Sequence, residues 1–381
     1  MKNNKYINSG LILLLAVAAL LQGCVNNDDV VKNDKAVAFS VLTEKRAKAG
    51  ETTSLTIDSF MIFAQHKNTP TTDFTPNFMY AVNVHKNSSG NWVYSPLKYR
   101  PQVGGVDFYA YSPTRSLGAT MFMADATEPL VEYVVSASAD LQEDFLIAKA
   151  IATHDGTNWE NTWDVSATGA VQMEFKHALS QIVFQARSNR NDVRFIIKDI
   201  SLTNLKPRGH INLVTQTWET ISGTETNYPV DMPEPQLFPY DPALISSGDY
   251  IVITNHDVDE NAMMVLPQTI VAGTVGAKTT EPGKSHIAVT FAAIDHEDFP
   301  LYGDFVFDAM GDLVLDGNGV PVVTKYTTMY TPLQLSAVPA DNKFEAGKRY
   351  IFQLQFNSLL PITFNLDVDD WDTTTVFDVG N

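Results

Sequence analysis

The sequence predicts an all-β protein built from β-sandwiches. Apolar and polar residues alternate over short runs, and turn residues recur every 8 to 12 positions. No i, i+3, i+4, i+7 stripe persists past about ten residues, so helices are few. The chain has 381 residues and is 44% apolar, which suits about two domains with a core each.

Taken in order, Lys2 and Lys5 precede the apolar run Leu11 to Leu21, too short to span a bilayer as a mature helix. Leu20-Leu21-Gln22-Gly23-Cys24 follows, so residues 1–23 read as a signal peptide ending in a lipobox. A thiol directly after a small residue is what a signal peptidase needs when the cysteine is first lipidated and then becomes the new N-terminus. Cys24 is the chain's only cysteine and stands at that position, which assigns it as the lipid anchor. No disulfide can form within the chain, so packing alone must hold the exported fold, as suits a reduced or anaerobic habitat.

Residues 24–35 form an acidic spacer with Asn26, Asn27, Asp28 and Asp29. Residues 36–168 read as a first sandwich and 169–381 as a second. The first opens with a lone apolar strand, Ala36 to Leu42, then a polar linker, Thr43 to Ser54, carrying Glu44, Lys45, Arg46 and Lys48. A strand at Leu55 to Phe63 comes next, then a hairpin pairing Phe78 to His85 with Trp92 to Tyr94. Val106, Phe108 and Ala110 alternate with Asp107, Tyr109 and Tyr111, which predicts one inward face. Val131 to Ser136 is a further strand, Asp144 to Ala150 is a short apolar segment, and Thr153 to Gly169 is a polar loop at the division.

The second half starts with a strand reaching Phe175, a turn, and a strand from Ile182. Val193 to Leu202 slips its alternation at Lys198-Asp199, as a bulge would. Strands at Ile211 to Val214, Tyr250 to Thr254, Ala262 to Leu266 and His286 to Ile294 follow. Phe305 to Phe307 pairs with Leu313 to Leu315 or Val320 to Val323, and the clearest alternations are Tyr350 to Phe356 and Ile362 to Val368.

Charge and motifs narrow the function. Residues 1–23 hold two lysines and no acid, so the mature chain carries 24 basic against 44 acidic residues, a net charge of −20. Such a surface repels nucleic acid and anionic membrane. No nucleophile elbow, zinc-protease helix, P-loop, dinucleotide fingerprint or paired-cysteine motif occurs, so neither an enzyme nor a cofactor is expected. His177 reads as a hydrogen-bonded structural histidine. Three acidic clusters, at His256 to Glu260, Asp295 to Asp298 and Asp308 to Gly319, lack the spacing of a calcium loop. Asp316-Gly317-Asn318-Gly319 has the composition of a hairpin turn, and no metal is expected. Trp92 and Trp371 read as core or sheet-face residues, whereas Trp159 and Trp163, in the polar loop, are the candidates for ligand or inter-domain contact.

The chain resembles the fimbrillin family, the Mfa-like and FimA-like lipoprotein pilins of Bacteroidales. The likeness rests on Trp92 to Tyr99, Val106 to Pro113, Asp144-Phe145-Leu146, Phe175 to Ile182, Leu266-Pro267-Gln268, Tyr350 to Phe356 and Val368 to Trp371. Asn26 to Asp29 also resembles the surface-export signal of Bacteroides-group lipoproteins. The resemblance implies two transthyretin-like (Greek-key) β-sandwich domains in tandem, an outer-membrane lipid anchor and a fimbrium at the cell surface. It further implies a cut after arginine by a trypsin-like surface protease, loss of the first strand, and refilling of the opened groove by another fimbrial subunit's strand. Arg46 and Ala47 stand where that cut falls. Thr375, Phe377 and Val379 share one face of the C-terminal segment, which is either the candidate donor strand or the last strand of its own domain. A stalk subunit, a tip or anchor subunit, and an uncleaved adhesin binding glycan or host protein all remain open at this level.

Overall fold

The computed structural model describes residues 36–43, 57–114, 119–121, 129–161, 169–190, 192–230, 232, 234–238, 250–253, 263–356 and 362–370. Cys24, Arg46, Ala47, Trp163, Trp371, the acidic cluster His256 to Glu260 and the candidate donor residues Thr375, Phe377 and Val379 lie outside the described residues.

The strands run β1 (Phe39–Thr43), β2 (Ser59–Lys67), β3 (Met79–Lys86), β4 (Trp92–Val93), β5 (Gly105–Ser112), β6 (Ala119–Met121), β7 (Leu130–Val134), β8 (Leu146–Ala150), β9 (Ala152–His154) and β10 (Trp159–Asn161). Next come β11 (Val171–His177), β12 (Ser180–Ser188), β13 (Val193–Leu205), β14 (Arg208–Asn212), β15 (Thr217–Ser222), β16 (Thr226–Pro229), β17 (Gln236–Phe238), β18 (Ile251–Val252) and β19 (Met263–Val265). The chain finishes with β20 (His286–Asp295), β21 (Pro300–Tyr302), β22 (Asp304–Phe305), β23 (Val323–Lys325), β24 (Thr327–Pro332), β25 (Lys348–Phe356) and β26 (Thr363–Asp370). The all-β class read from the sequence is what the chain adopts.

The first sheet has seven strands in the order β1-β11-β8-β5-β2-β3-β4. In a flat sheet its ends would stand about 29 Å apart, at roughly 4.8 Å per step. Instead they meet: Ala36 bridges Tyr99, and the Val37 amide donates to the Lys98 carbonyl at 2.9 Å. The sheet is therefore rolled, and its halves face each other across Phe60, Ile62, Phe108, Ala148, Met173 and their neighbours. β5 shows how a strand between two cores is buried completely. Val106, Phe108 and Ala110 fill the roll, while Tyr109 and Tyr111 belong to a second core on the outside. The sequence predicts one inward face for β5, but all eight residues are buried because a core lies on each side.

That second core is shared with the four-stranded sheet β15-β14-β7-β6 and continues into the remaining sheets. One of those carries β18-β12-β25-β26, the other β16-β13-β20-β21 with β24 beside β20. Phe184, Phe352 and Leu354 from the former meet Phe195, Phe291 and Val289 from the latter. Phe356 links the layers, with ring centroids 4.7 Å from Phe195 and 5.8 Å from Phe291. The slip read at Lys198-Asp199 is present, as a register shift between Ile197 and Asp199 in the β13–β20 ladder. Pairing runs across residues 168 and 169, where the sequence placed a division. β11 lies beyond that point yet joins the first sheet, and β14 pairs with β7.

The polar loop read at Thr153 to Gly169 contains a small hairpin, β9 with β10. Its turn is made by Asp155, whose Oδ1 accepts the amides of Thr157 and Asn158. Short polar strands of this kind carry no alternation for a sequence reading to find.

Two substitutions test the roll. Phe39→Ala is expected to cost about 3–5 kcal/mol in chemical denaturation of the uncleaved protein, the usual range for a buried phenylalanine. Tyr94→Phe, which removes only the hydroxyl that donates to the Val37 carbonyl, is expected to cost about 1 kcal/mol.

Candidate functional site

The site is the groove that β1 fills. β1 pairs in parallel with β11, from Phe39 opposite Val171 to Thr43 opposite Phe175, and stands at the end of the sheet order. The Val171 amide donates to the Ala38 carbonyl at 2.7 Å. Among the described residues, β1 is held on its other flank at its start, by the Val37–Lys98 hydrogen bond and by the Tyr94 hydroxyl, which donates to the Val37 carbonyl at 2.8 Å. Among the described residues no further strand pairs with that flank. Burial pushes the Tyr94 phenol up, so the hydroxyl remains a donor throughout the physiological range.

Alternation decides what β1 buries. Val37 and Phe39 are buried and Val41 packs against the same core, while Ala38 and Leu42 are exposed, Leu42 at 45%. The Phe39 ring meets Phe60, Tyr94 and Phe108 edge-on, with centroids at 5.7, 5.5 and 5.8 Å. These rings form a three-sided cage for one aromatic side chain.

The magnitudes are telling. Fully burying a valine or phenylalanine side chain contributes roughly 1.5–3 kcal/mol, so Val37 and Phe39 together contribute roughly 3–6. A domain's whole stability is about 5–15 kcal/mol. An empty groove is thus a large fraction of what holds the roll folded, and it also leaves unpaired backbone on β11. Losing β1 without a replacement is not a stable end state.

β1 ends and β2 begins at the same end of the sheet. Thr43 is level with Phe175, Ala148, Ala110 and Ile62 in successive ladders, and the chain re-enters at Ile57 just beyond. Arg46 and Ala47 lie in the stretch joining those points. A recess of about 340 Å³ opens at this end, lined by Ile57, Asp58, Ser59, Ser112, Pro113, Glu143 and Asp144. His177 is buried there and its Nδ1 is 2.9 Å from the Asp144 carboxylate, which agrees with the structural role read from the sequence.

The other sequence candidates sit elsewhere. Trp159 lies on the β9–β10 hairpin, over Gly105, where any Cβ would come within 2.3 Å of its ring. The Lys67 ammonium stands 5.4 Å from the ring centroid, and the indole nitrogen donates to the Asn68 carbonyl at 3.4 Å. Trp92 packs on the core of the roll, 5.2 Å from Phe60. In the acidic loops the carboxylates cap turns. Asp295 accepts the amides of Glu297 and Phe299, Asp308 those of Met310 and Asp312, and Asp316 those of Asn318 and Val320. Among the described residues no group of three His, Cys, Asp or Glu converges on a metal position. Tyr94 was not singled out by the sequence; only its place in Trp92-Val93-Tyr94 hinted at it, and its partner Val37 is 57 residues away.

Comparison with known proteins follows from this geometry. A sequence profile for the family described as fimbrillin-like matches residues 46–371, leaving outside it both β1 and the C-terminal segment. No curated protein matches by sequence. Among solved structures, a fimbrial protein from Bacteroides vulgatus is similar, at 18% identity and a TM-score of 0.60, over 88% of this chain and 99% of that one. A fimbrilin from Porphyromonas gingivalis is similar at 13% identity and a TM-score of 0.39, over 87% of this chain and 95% of that one. A tip fimbrial protein, Mfa3, from the same organism gives 11% and 0.34, over 88% and 100%.

Protonation tests the turn carboxylates. Backbone donation from Asp312 and Met310 holds the Asp308 carboxyl below the usual range. A depressed folded value means that its contribution is complete above the ordinary carboxylate range, near pH 4, and is lost as the pH falls through the lower value. Hydrogen exchange by NMR is expected to show the Met310 and Asp312 amides protected at neutral pH and unprotected only in that acid window. In Asp308→Ala the protection should be absent at every pH.

Proposed function

The chain belongs to the fimbrillin-like family, and from that premise we propose that it is a surface fimbrial subunit assembled by strand exchange. The family is one of fimbrial structural and adhesion proteins rather than enzymes, and it places the chain in the fimbrium at the cell surface. In this reading Cys24 carries the lipid that anchors the exported chain in the outer membrane. A trypsin-like surface protease cuts between Arg46 and Ala47, which detaches the lipid, the spacer and β1 together. A strand from another subunit then enters the vacated groove and restores the ladder to β11.

The observation that carries this proposal is the one-sided attachment of β1. A central strand bonded on both edges would have to break two ladders to leave; β1 has one ladder and a short attachment at its start. Its inward face is apolar and its outward face is partly exposed, so it behaves as a plug in a slot. The acidic recess at the end of the sheet where β1 stops supports the same reading, since Lys45, Arg46 and Lys48, which follow β1 in the sequence, are basic.

Limited digestion of the mature lipoprotein tests it. We expect a trypsin-like protease at limiting dose to give a new N-terminus at Ala47 by mass spectrometry, followed by ladders on native gels. The combined variant Lys45→Ala, Arg46→Ala, Lys48→Ala should remain uncut in this linker and monomeric. Surface-shed protein that still begins at lipidated Cys24 would sink this reading in favour of an uncleaved anchor or adhesin.

A further inference from the structure

Two exposed apolar features that the proposed strand exchange does not use stand at opposite ends of β20. That strand is 10 residues long, roughly 30 Å from end to end at about 3.4 Å per residue. Near its start, where His286 lies opposite Pro332, a groove of about 480 Å³ opens between β24 and β26. Among the described residues each of these strands pairs on one side only, β24 with β20 and β26 with β25, so the groove runs between two free edges. The Thr331 hydroxyl spans the gap, donating to the Ile362 carbonyl at 3.0 Å. Tyr330, Pro332, Leu335, Ile362 and Phe364 wall the groove, and Val275 stands on it with 81% of its surface exposed.

At the other end of β20, Ala292 and Ile294 join Ile196 and Phe305 in a small separate core, which anchors an arm of residues 303–325. In the arm β22 pairs with β23, and Phe307 bridges Leu313 to close the turn Asp308-Ala309-Met310-Gly311-Asp312. Every residue of that turn is exposed, Met310 at 87%. The turn is stiff without help from the methionine. Asp308 accepts the amides of Met310 and Asp312 at 2.8 and 2.9 Å, and the Gly311 amide donates to the Asp308 carbonyl at 3.1 Å. A flexible thioether on a fixed turn is an adaptable apolar knob, presented at little entropic cost.

We propose that Met310 of one copy docks in the groove between β24 and β26 of a second copy, with Asp308 and Asp312 facing Lys278. Lys278 follows the turn from Thr274 to Ala277, which supplies Val275 and Gly276 to the groove. Charge selects this pairing. Among the described residues Lys278 is exposed and without an ion pair, whereas Lys284 on the same loop is held by Glu281 at 3.0 Å. In a strongly acidic chain, an uncommitted lysine beside an apolar groove favours an acidic visitor, and Met310 has an acid two residues away on each side. Knob and socket are different surfaces at different ends, so the contact is head-to-tail rather than two-fold. It is also small, so free chains separate on a dilute gel, while copies held on one surface meet at effective concentrations of about 1 mM. This contact goes beyond the strand-exchange reading and does not rest on it.

Methyl NMR tests it on uncleaved protein, in which β1 is seated and strand exchange contributes nothing. The mature chain carrying Cys24→Ser, free of lipid, is labelled at its methionine methyls and kept dilute. Its Met310 signal, assigned by its loss in Met310→Asp, is followed as an unlabelled partner is added to about 1 mM. A Met310→Asp partner keeps its groove and is expected to shift that signal as the unsubstituted chain does. A Val275→Asp partner should need at least about tenfold more protein for the same shift, the scale of one buried apolar side chain. Lys278→Asp in the partner should weaken binding about fivefold, and Asp312→Lys in the labelled chain should then restore it. All four substitutions fall at exposed positions, so an unchanged circular dichroism spectrum is expected. Equal shifts from the Met310→Asp and Val275→Asp partners would overturn the groove as the socket. A shift that vanishes with the Met310→Asp partner would show methionine meeting methionine and overturn the head-to-tail arrangement. Failure of the charge swap to restore binding would remove Lys278 as the acids' partner. No shift at the highest concentration would overturn the contact itself while leaving strand exchange standing.

Discussion

One apolar side chain, Phe39, lies where the two ends of the first sheet come together. Its ring touches β2 through Phe60, β5 through Phe108 and the segment after β4 through Tyr94, while its own backbone bonds β11. A seven-stranded sheet could splay open; here the rolled form persists because a strand at the seam buries its inward face between both halves. The proposed strand exchange depends on that seam being both energetically necessary and topologically peripheral. Deep burial makes the position costly to leave empty, and edge placement makes it accessible to exchange.

Behind the seam the molecule offers a firm backing. The outer face of β5 and β2, through Tyr109, Tyr111 and Phe63, packs on the same continuous core that runs into the later sheets. Tyr133 stacks on Phe145 at 4.5 Å, and the Trp218 indole donates to the Ala178 carbonyl, tying the β14–β15 hairpin to the turn between β11 and β12. β11, the strand that a partner would pair with in the proposed exchange, is held from its far edge by β8 and continues at once into the deeply buried β12. A rigid template of this kind lowers the entropy lost when a flexible strand docks.

The acidic residues have a different part. Their carboxylates are spent on local turns at Asp155, Asp295, Asp308 and Asp316, which close hairpins around the periphery. The net charge they leave keeps a crowded surface protein soluble and adds repulsion between copies. In the proposed exchange, association would draw on buried apolar contact and backbone pairing in the groove rather than on surface attraction.

The sequence by itself determined the all-β class, the main strands, the hairpin at Phe78 to Tyr94 and the slip at Lys198-Asp199. Each follows from period-two alternation or turn chemistry, which are local. It also determined that Asp316-Gly317-Asn318-Gly319 is a turn, because its residues satisfy their own backbone. Only the tertiary structure decided that β1 lies parallel to β11, that the sheet closes through Lys98 and Tyr99, that Tyr94 holds the seam, and that β5 is buried on both faces. The seam contacts join residues as far apart as Val37 and Tyr94, 57 positions, and Ser40 and Val171, 131 positions, and alternation states which face of a strand is apolar without stating what that face will meet.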